Sequence, residues 1–268
     1  MVSPTDNNLA LFCDFENIAL GVRDAEYSRF DIKRILERLL VKGSIVVKKA
    51  YCDWDRYKGF KPTMHEAAFE LIDIPHVRQS GKNSADIRMV VDALDLCYTK
   101  SHVNTFVIIS GDSDFSPLVS KLRENAKTVI GIGVKNSTSD LLINSCDEFI
   151  YYDDLVRERE QKRKSPPPSQ ERSTQRKSSK AKSDDRMQEG IDLALETAEA
   201  LKAERADHEK LWGSMVKQAL KRRRPGFNES YYGFESFSKL LEKAQERGLL
   251  DLELDERSCG YIIRQVTL

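Results

Sequence analysis

The residues best suited to chemistry are aspartates that directly follow apolar stretches of the sequence. Asp14 follows LALFC in the string DFEN, and Asp112 and Asp114 follow TFVIIS in SGDSDF. In an open parallel sheet, ligands bind beyond the carboxyl ends of the strands, where neighbouring strands diverge. If the first and fourth strands are neighbours at that point, Asp14 meets the pair Asp112 and Asp114. A third source of carboxylate is Asp86, at the start of a predicted helix, with Asp92 about two turns along it.

This cluster of carboxylates predicts a bound divalent cation. Converging carboxylates repel one another unless a cation neutralises them, and hard oxygen ligands select Mg²⁺ or Mn²⁺. Such a metal can polarise a phosphoryl oxygen and activate a water molecule for in-line attack, as in metal-dependent nucleases. That chemistry requires no histidine or thiol base.

The same aspartates also have structural interpretations. Asp86 could favour the positive end of its helix, with Ser84 as the cap, and Asp112 could cap the helix that follows it. Asp92 could be a solvent-facing helix residue. A structural role is least expected for Asp14, which comes directly after a buried strand. Because three aspartates stand at three strand or helix ends, the joint pattern favours the metal site.

The sequence around the aspartates alternates short apolar runs with amphipathic ones, which is typical of a mostly parallel sheet flanked by helices. The predicted strands cover residues 9–14, 44–52, 74–78, 105–110, 128–133 and 148–151, and their continuous apolar character fits burial on both faces. The predicted helices with one apolar face cover residues 31–41, 64–72 and 86–98. The predicted fold class is therefore α/β.

Three strings in this region resemble the NYN domains of the PIN-like nuclease superfamily, and in particular the LabA-like proteins. They are DFENI, KNSADIRMVVDALDL and ISGDSDFSPLVSKLRENAKTVIGIGV, and the resemblance covers about residues 7–155. It implies a PIN-like, Rossmannoid sheet and metal-dependent RNA cleavage. It also implies supporting roles for Asn17, which helps to set the first aspartate, for Ser110 and for Asp92. The acidic site of the family corresponds to Asp14, Asp86, Asp112 and Asp114.

The chain is divided by a basic segment without large apolar residues. Residues 157–186 include SPPPS and SSKAKS and cannot bury a core, so we predict a disordered linker. Residues 157–190 carry 11 basic and 6 acidic side chains, a net charge of +5, whereas residues 1–156 carry 19 and 23, a net charge of −4. A basic segment of this kind suits a polyanion partner, although it could equally be a solvated linker.

The C-terminal part predicts a small helical domain with a β-hairpin. Residues 187–206 form an amphipathic helix whose apolar stripe could pack on a second copy of the chain. Helices at 209–221 and 234–247 and strands at 249–254 and 260–266 suggest a winged helix-turn-helix. Residues 207–268 resemble the LOTUS domain, also called OST-HTH, most closely in YGFESFSKLLEKAQERGLLDLE. This resemblance implies an RNA-binding or protein-docking module, and it makes residues 1–156 the nuclease domain.

Several cations and aromatic rings are candidates for binding nucleic acid. Cations can contact phosphates, and aromatic faces can stack on bases. Lys82, in SGKN, could neutralise a phosphate near the metal. The same residues could instead serve the fold, because cations are favoured at a helix C-terminus and aromatics fill small cores. The C-terminal candidates are Lys221, Arg222, Arg223, Arg224, Tyr231 and Tyr232.

These features favour a metal-dependent endoribonuclease that uses Mg²⁺ or Mn²⁺ and acts on RNA. The alternative is a catalytically inactive RNA-binding or regulatory adaptor with the same fold. A sugar-nucleotide transferase would use the DxD of SGDSDF but would leave Asp14 and Asp86 unexplained. A haloacid-dehalogenase phosphatase would need a second aspartate two residues after Asp14, where this chain has Glu16.

The composition excludes other classes of protein. No apolar run approaches the roughly 20 residues that a membrane span needs, so no membrane association is expected. The N-terminal residues show no secretory signal, and the expected location is the cytoplasm. The five cysteines are an odd number without CxxC spacing, which argues against a disulfide framework and a structural zinc site.

Overall fold

The computed structural model describes residues 7–27, 30–74, 84–163, 178–203, 210–255 and 260–266. The chain divides into two compact units, Met1–Arg159 and Glu160–Leu268, and each is described by itself. Lys82, one of the predicted phosphate contacts, lies outside the described residues.

The first unit is built on a parallel sheet of six strands in its described part. The strands are β1 (Asn8–Asp14), β2 (Ser44–Cys52), β3 (Glu70–Asp73), β4 (Thr105–Ile109), β5 (Thr128–Gly133) and β6 (Glu148–Tyr151). Their order is β3-β2-β1-β4-β5-β6. The chain therefore runs outward from β1 to β3 and returns to the other side of β1 with β4, so β1 and β4 are neighbours as predicted. This sheet confirms the α/β class.

Helices cover both faces of this sheet. In the described residues they are α1 (Phe15–Asp24), α2 (Ile32–Leu40), α3 (Lys61–Glu66), α4 (Ser84–Thr99), α5 (Ser116–Glu124), α6 (Asp140–Ser145) and α7 (Tyr152–Arg163). Leu9 and Leu11 of β1 pack beneath α1, α2 and α7, whereas Ala10 and Phe12 pack beneath α4, α5 and α6. Because successive residues of a strand point to opposite faces, a continuous apolar strand fills two cores at once.

The third strand corrects the helix predicted at 64–72. That helix ends at Glu66, and β3 occupies Glu70–Asp73. The strand predicted at 74–78 lies outside the described residues from residue 75 onward. The chain leaves the helix at Ala68, whose φ of 56° is left-handed. Helices commonly end through a glycine in this conformation. Here an alanine takes it, so the sequence carries no visible stop signal.

The first unit includes the start of helix α7. Tyr152, Leu155 and Val156 are buried in its core, and the Tyr152 hydroxyl accepts a hydrogen bond from the Asp31 backbone N–H at 2.8 Å. Helix α7 continues to Arg163, and the next helix begins at Ser178. Residues 157–163 and 178–186, within the predicted linker, are therefore helical, because glutamate, lysine and arginine favour helix even without apolar neighbours.

Four cysteines of the first unit are free thiols in its interior. Cys13, Cys52, Cys97 and Cys146 are all buried. Burial raises the pKa of each of these thiols above its ordinary value. The fifth cysteine, Cys259, lies outside the described residues.

The second unit contains helices and an antiparallel sheet. Its described elements are α8 (Ser178–Ala203), β7 (Leu211–Trp212), α9 (Gly213–Arg223), α10 (Phe237–Glu246), β8 (Leu250–Asp255) and β9 (Gly260–Val266), with strand order β7-β9-β8. The hairpin of β8 and β9 is present as predicted. The helix predicted from residue 209 begins only at Gly213, because Leu211 and Trp212 pair with β9.

Helix α8 packs against its own unit. Ile191, Leu195 and Ala198 are buried in the same core as α9 and α10. A Cβ added at Gly190 would lie 2.7 Å from Cγ of Tyr232, so only glycine permits this close approach. The apolar stripe predicted to pack on a second copy is covered within the chain, and the predicted homodimer loses its basis in this stripe.

The helices of the described residues are too short or too polar to span a membrane. None of them is both long and apolar enough to cross a bilayer.

Candidate active site

An acidic cleft lies at the carboxyl ends of β1 and β2, beside the first turn of α4. Its volume is about 390 Å³. The sheet order reverses at β1, so the cleft lies at the topological switch point where open α/β sheets bind ligands. The lining residues are Asp14, Glu16, Asn17, Leu20, Tyr51, Cys52, Asp53, Arg56, Ile74, Ala85, Asp86 and Asp112.

Asp14 is the most enclosed of these acids, with 8% of the residue exposed. Its Oδ1 accepts the backbone N–H of Asn17 at 3.2 Å, which caps α1, and its Oδ2 accepts the Ser110 hydroxyl at 3.0 Å. The residue therefore ends a strand, begins a helix and presents its carboxylate to the cleft. These two hydrogen bonds fix the orientation of the carboxylate.

The turn after β4 is joined to β1 and α1 through Ser110 and Asn17. The Ser110 hydroxyl also accepts the Asp112 backbone N–H at 3.2 Å, and Asn17 Oδ1 accepts the Gly111 backbone N–H at 2.8 Å. A Cβ at Gly111 would lie 2.4 Å from the Ser137 carbonyl oxygen, so this turn needs glycine. The turn thereby holds Asp112 in a fixed position relative to Asp14.

Asp112 and Asp114 differ in their positions. Asp112 lines the cleft, and its Oδ1 accepts the Asp114 backbone N–H at 3.0 Å, which is the predicted capping contact. Asp114 is exposed and lies outside the residues that line the cleft, yet its charge acts on Asp86. The structure thus brings Asp14, Asp86 and Asp112 into the cleft and leaves Asp114 more exposed.

The acids of the cleft act on one another electrostatically. Burial, with Asp86 and Asp112 nearby, raises the pKa of Asp14 from 3.8 to about 7, even though the hydrogen bonds from Asn17 and Ser110 oppose the change. Burial and the charges of Asp112, Asp114 and Glu16 raise the pKa of Asp86 to about 6. Strongly raised carboxyl pKa values in a cleft are typical of functional sites.

The donor chemistry of the cleft fits a hard divalent cation. Asp14, Asp86 and Asp112 supply carboxylate oxygens, which Mg²⁺ and Mn²⁺ prefer, and a cation would relieve the repulsion that raises their pKa values. Among the residues that the structure describes, no three acids, histidines or cysteines are already grouped closely enough to enclose a metal. Water and phosphate oxygens would therefore have to complete the coordination, as is usual for Mg²⁺.

Comparison with known proteins identifies the family of this chain. The sequence profile of the NYN domain family matches residues 8–153, more than half of the 268 residues. The chain belongs to the NYN domain family. Members of this family are typically nucleases of the PIN-like class. The match covers the acidic cleft and the whole six-stranded sheet.

Individual relatives share the NYN domain and little more. An uncharacterized protein of Methanocaldococcus jannaschii is 30% identical over 120 residues, which are 45% of this chain and 47% of that protein. Meiosis regulator and mRNA stability factor 1 of Xenopus tropicalis is 26% identical over 148 residues, 55% of this chain and 9% of that protein. The chain thus aligns with less than half the length of these relatives.

A solved structure is similar to part of this chain. The crystal structure of a Vibrio parahaemolyticus protein of unknown function is 27% identical to this chain, with a TM-score of 0.51. The similarity covers 98% of that protein and 58% of this chain.

Asp92 does not line the cleft but contacts a residue that does. Its carboxylate accepts the hydroxyl of Tyr51, a lining residue, at 2.9 Å and pairs with Lys49 at 3.3 Å and with Arg88 at 3.0 Å. It stands six residues beyond Asp86 on α4, roughly 9 Å along a helix. Asp92 thus ties α4 to β2, and its role in supporting the site stays a prediction.

Sequence reasoning missed three of the charged residues that line the NYN cleft, namely Glu16, Asp53 and Arg56. Glu16, in DFEN, lies in the first turn of α1, and Arg56 follows β2 in CDWDRY. Their side chains form an ion pair of 2.9 Å. The available signal was the position of Arg56 just after a strand whose carboxyl end meets the same sheet edge as Asp14.

The C-terminal candidates for nucleic-acid binding lie outside the NYN domain and have unequal surroundings. Arg223 pairs with Glu196 and donates a hydrogen bond to Thr197 of α8, so it serves the fold of its unit. Tyr232 stacks on Phe227 with ring centroids 5.2 Å apart. These contacts give both side chains a structural role, and their binding of nucleic acid stays a prediction.

The remaining C-terminal candidates lie nearer the surface of the second unit. The guanidinium of Arg186 lies 5.4 Å from the ring centroid of Tyr231. Arg222 and Arg224 are exposed at the end of α9, and Lys221 is half-buried there. Arg223 is exposed as well, but its guanidinium contacts Glu196 and Thr197 of α8.

Proposed function

We propose that the chain is a divalent-metal-dependent endoribonuclease whose active site is the acidic cleft of the NYN domain. The observation that carries this proposal is that Asp14, Asp86 and Asp112 line one cleft, where burial and the two neighbouring charges raise the pKa of Asp14 to about 7. A fold would not retain facing carboxylates at this cost without a cation to bind. Mg²⁺ or Mn²⁺ is the ion that such oxygen ligands favour.

The residues of the cleft have distinct roles in this proposal. Asp14, Asp86 and Asp112 hold the metal, and Asp114 adds negative charge close to it. Ser110 and Asn17 orient Asp14 and the turn that carries Asp112. The bound metal supplies Lewis acidity toward a phosphoryl oxygen and a nucleophilic water at neutral pH.

RNA is the substrate class that the comparisons favour. The Xenopus tropicalis relative is named as an mRNA stability factor, and it is 26% identical to this chain over 148 residues. The LabA-like subtype proposed from the sequence strings and the cytoplasmic location are finer points of the same proposal. We therefore expect the protein to cleave RNA in preference to DNA.

The second unit is proposed to be a winged helix-turn-helix of the LOTUS type that binds RNA. Its helices α9 and α10, followed by the β8–β9 hairpin, support this proposal. The exposed cations Arg222 and Arg224 supply contacts to phosphate. Docking of a protein partner is the alternative role of this unit.

Replacing Asp112 by asparagine tests the nuclease proposal. Asp112→Asn removes one negative metal ligand but keeps an oxygen that can accept the Asp114 N–H, so the turn should survive. RNA cleavage is expected to fall by more than the roughly 10- to 100-fold loss that follows changes to residues that only orient metal ligands. The measurement is cleavage of labelled RNA and DNA with Mn²⁺, with Mg²⁺ and with chelator.

The matched control is Asp95→Asn, which removes an exposed carboxylate from the same helix that carries Asp86. This variant is expected to cleave like the parent. Equal cleavage by Asp112→Asn and Asp95→Asn would reject the metal site. A parent that binds Mn²⁺ and RNA but never cleaves would instead identify the regulatory adaptor.

A further inference from the structure

The acidic cleft contains a positively charged residue that the nuclease proposal does not use. Of the described residues that line it, five are acidic and a single one, Arg56, is basic. An RNA strand that enters such a cleft brings further negative charge. Its backbone therefore needs a cation there besides the metal.

Arg56 is held in place by its own loop. Asp53 Oδ1 accepts the backbone N–H groups of Asp55 at 3.1 Å and Arg56 at 3.4 Å, which fixes the turn that follows β2. The guanidinium lies 6.0 Å from the ring centroid of Tyr57 and donates a hydrogen bond to Glu16 at 2.9 Å. The side chain is thus positioned at the cleft before any substrate binds.

The ion pair of Arg56 and Glu16 is open to exchange. The two side chains are 50% and 33% exposed, and ion pairs so exposed to solvent are weak. A phosphate offers the guanidinium two oxygens in the same planar geometry as a carboxylate. A phosphate group can therefore take the place of Glu16 without rearrangement of the backbone.

We propose that Arg56 binds a phosphate of the RNA strand in the cleft and that Glu16 holds the guanidinium until that phosphate replaces it. The inference rests on the proposed function and deepens it, because it names the residue that positions the RNA backbone beside the metal ligands. Glu16 also faces Asp86, so binding of Arg56 to phosphate leaves one more uncompensated carboxylate beside the metal ligands. The exchange thereby increases the negative charge available to the metal when substrate is bound.

The first experiment compares Arg56→Ala with Arg123→Ala in the full chain. Arg123 is a matched control, because it is 47% exposed, pairs with Asp147 at 3.1 Å and does not line the cleft. Binding of a short single-stranded RNA is measured by fluorescence anisotropy in chelator across a salt series. Arg56→Ala is expected to raise the Kd roughly tenfold and to flatten the salt slope by about 0.7. Arg123→Ala is expected to match the parent.

Two further variants separate phosphate binding from a structural role of the loop. Arg56→Lys keeps the charge and loses the planar fork, so the salt slope should be retained while affinity falls in part. Glu16→Gln weakens the competing contact and should lower the Kd. In cleavage assays with metal, Arg56→Ala should raise KM with kcat within about twofold of the parent, the pattern of lost substrate binding.

The outcomes distinguish this inference from the nuclease proposal. An unchanged salt slope for Arg56→Ala, or an unchanged Kd for Glu16→Gln, overturns phosphate binding even if the parent cleaves RNA. A parent that never cleaves but shows the expected change in slope rejects the nuclease and keeps Arg56 as a phosphate ligand. If Arg56→Ala fails to fold, Glu16→Gln and Arg56→Lys still decide the question.

Discussion

Asp14 combines two demands that oppose each other at the residue scale. Its burial and its two hydrogen bonds fix the carboxylate beside the cleft, but burial next to Asp86 and Asp112 disfavours the charged form. Fixed orientation is what a metal ligand needs, whereas the stability of the metal-free fold would gain from a neutral side chain. Under the proposed function, Asp14 thus lowers the stability of the metal-free fold but is already oriented to bind a metal.

The free energy of unfolding of the metal-free protein should therefore depend on pH through Asp14. The pKa of Asp14 is raised from 3.8 to about 7 in the fold, so its stabilising effect is present below pH 4 and is lost as the pH rises to about 7. Asp14→Asn removes that loss of stability, because the amide side chain does not ionise. The amide oxygen can still accept the hydrogen bond from the Asn17 N–H. At pH 8 the variant should be more stable than the parent, by a few kcal/mol at most.

Denaturant unfolding with chelator at pH 4.5 and at pH 8 measures the effect. The difference between Asp14→Asn and the parent should be smaller at pH 4.5, and Asp95→Asn, which changes an exposed carboxylate, should behave like the parent at both values. A variant less stable than the parent at pH 8 would mean that the hydrogen bond from Ser110 outweighs the electrostatic cost.

The sequence predicted the central acids of the site but not their partners. Asp14 and Asp112 follow apolar strands, so their meeting could be predicted only on the condition that the first and fourth strands are neighbours, which the sheet order fulfils. The ion pairs of Asp92 with Lys49 and Arg88 could not be predicted, because they depend on packing between α4 and β2. Arg56 was missed because it lies in a loop, where no periodic pattern indicates the direction of a side chain.

At the scale of elements, strands with continuous apolar residues were predictable and helix ends were not. The bounds of β2, β5 and β6 agree with the prediction to the residue. The errors around β3 arise where Ala68 replaces the glycine that usually ends a helix. The two-residue strand β7 is fixed by pairing with β9, a contact distant in sequence that local periodicity does not contain.

The docking of α8 gives a prediction at this scale. Gly190→Ala places a methyl group 2.7 Å from Cγ of Tyr232, at the base of a ring that stacks on Phe227 and cannot simply swing away. The second unit is expected to lose about 1–3 kcal/mol of unfolding free energy, as overpacked cores do. Denaturant unfolding followed by tryptophan fluorescence measures the loss.

Gly59→Ala is the control for this substitution, because a Cβ at Gly59 meets no atom within 4 Å. The control is expected to unfold like the parent. If Gly190→Ala were equally stable, α8 would have to shift along Tyr232 at no cost, and its close packing would not hold the second unit together.

At the scale of the whole molecule, the zero net charge of the chain conceals unlike parts. Under the proposed function, a metal bound in the acidic cleft of one unit and the exposed cations of the other unit would both attract RNA. Linking two weak binding sites raises overall affinity through effective concentration. We therefore expect the second unit to add affinity for RNA to the reaction carried out by the first.

The double substitution Arg222→Ala with Arg224→Ala tests whether the second unit adds affinity for RNA. Each neutralised phosphate contributes a salt slope of about −0.7 on single strands, so the variant should flatten the slope on long RNA by up to about 1.4. Cleavage of a short RNA that reaches only the NYN cleft should continue at the parental rate. Arg223 is left intact, because its contacts with Glu196 and Thr197 belong to the fold.

A parental salt slope for this double variant would contradict RNA binding by the end of α9. The second unit would then be better explained as a docking site for a protein. A pull-down that compares the parent with the double variant would be the next measurement.

The alkylation rate of the buried thiols can report how often the first unit opens. Cys13, Cys52, Cys97 and Cys146 are all enclosed, and burial raises the pKa of each, so the closed fold protects them from alkylation. Reagent can reach them only when the unit opens, and the rate of labelling then reports how often this happens. Because these four thiols lie in the unit that carries the acidic cleft, mass spectrometry can time its opening without any introduced probe, with and without Mn²⁺.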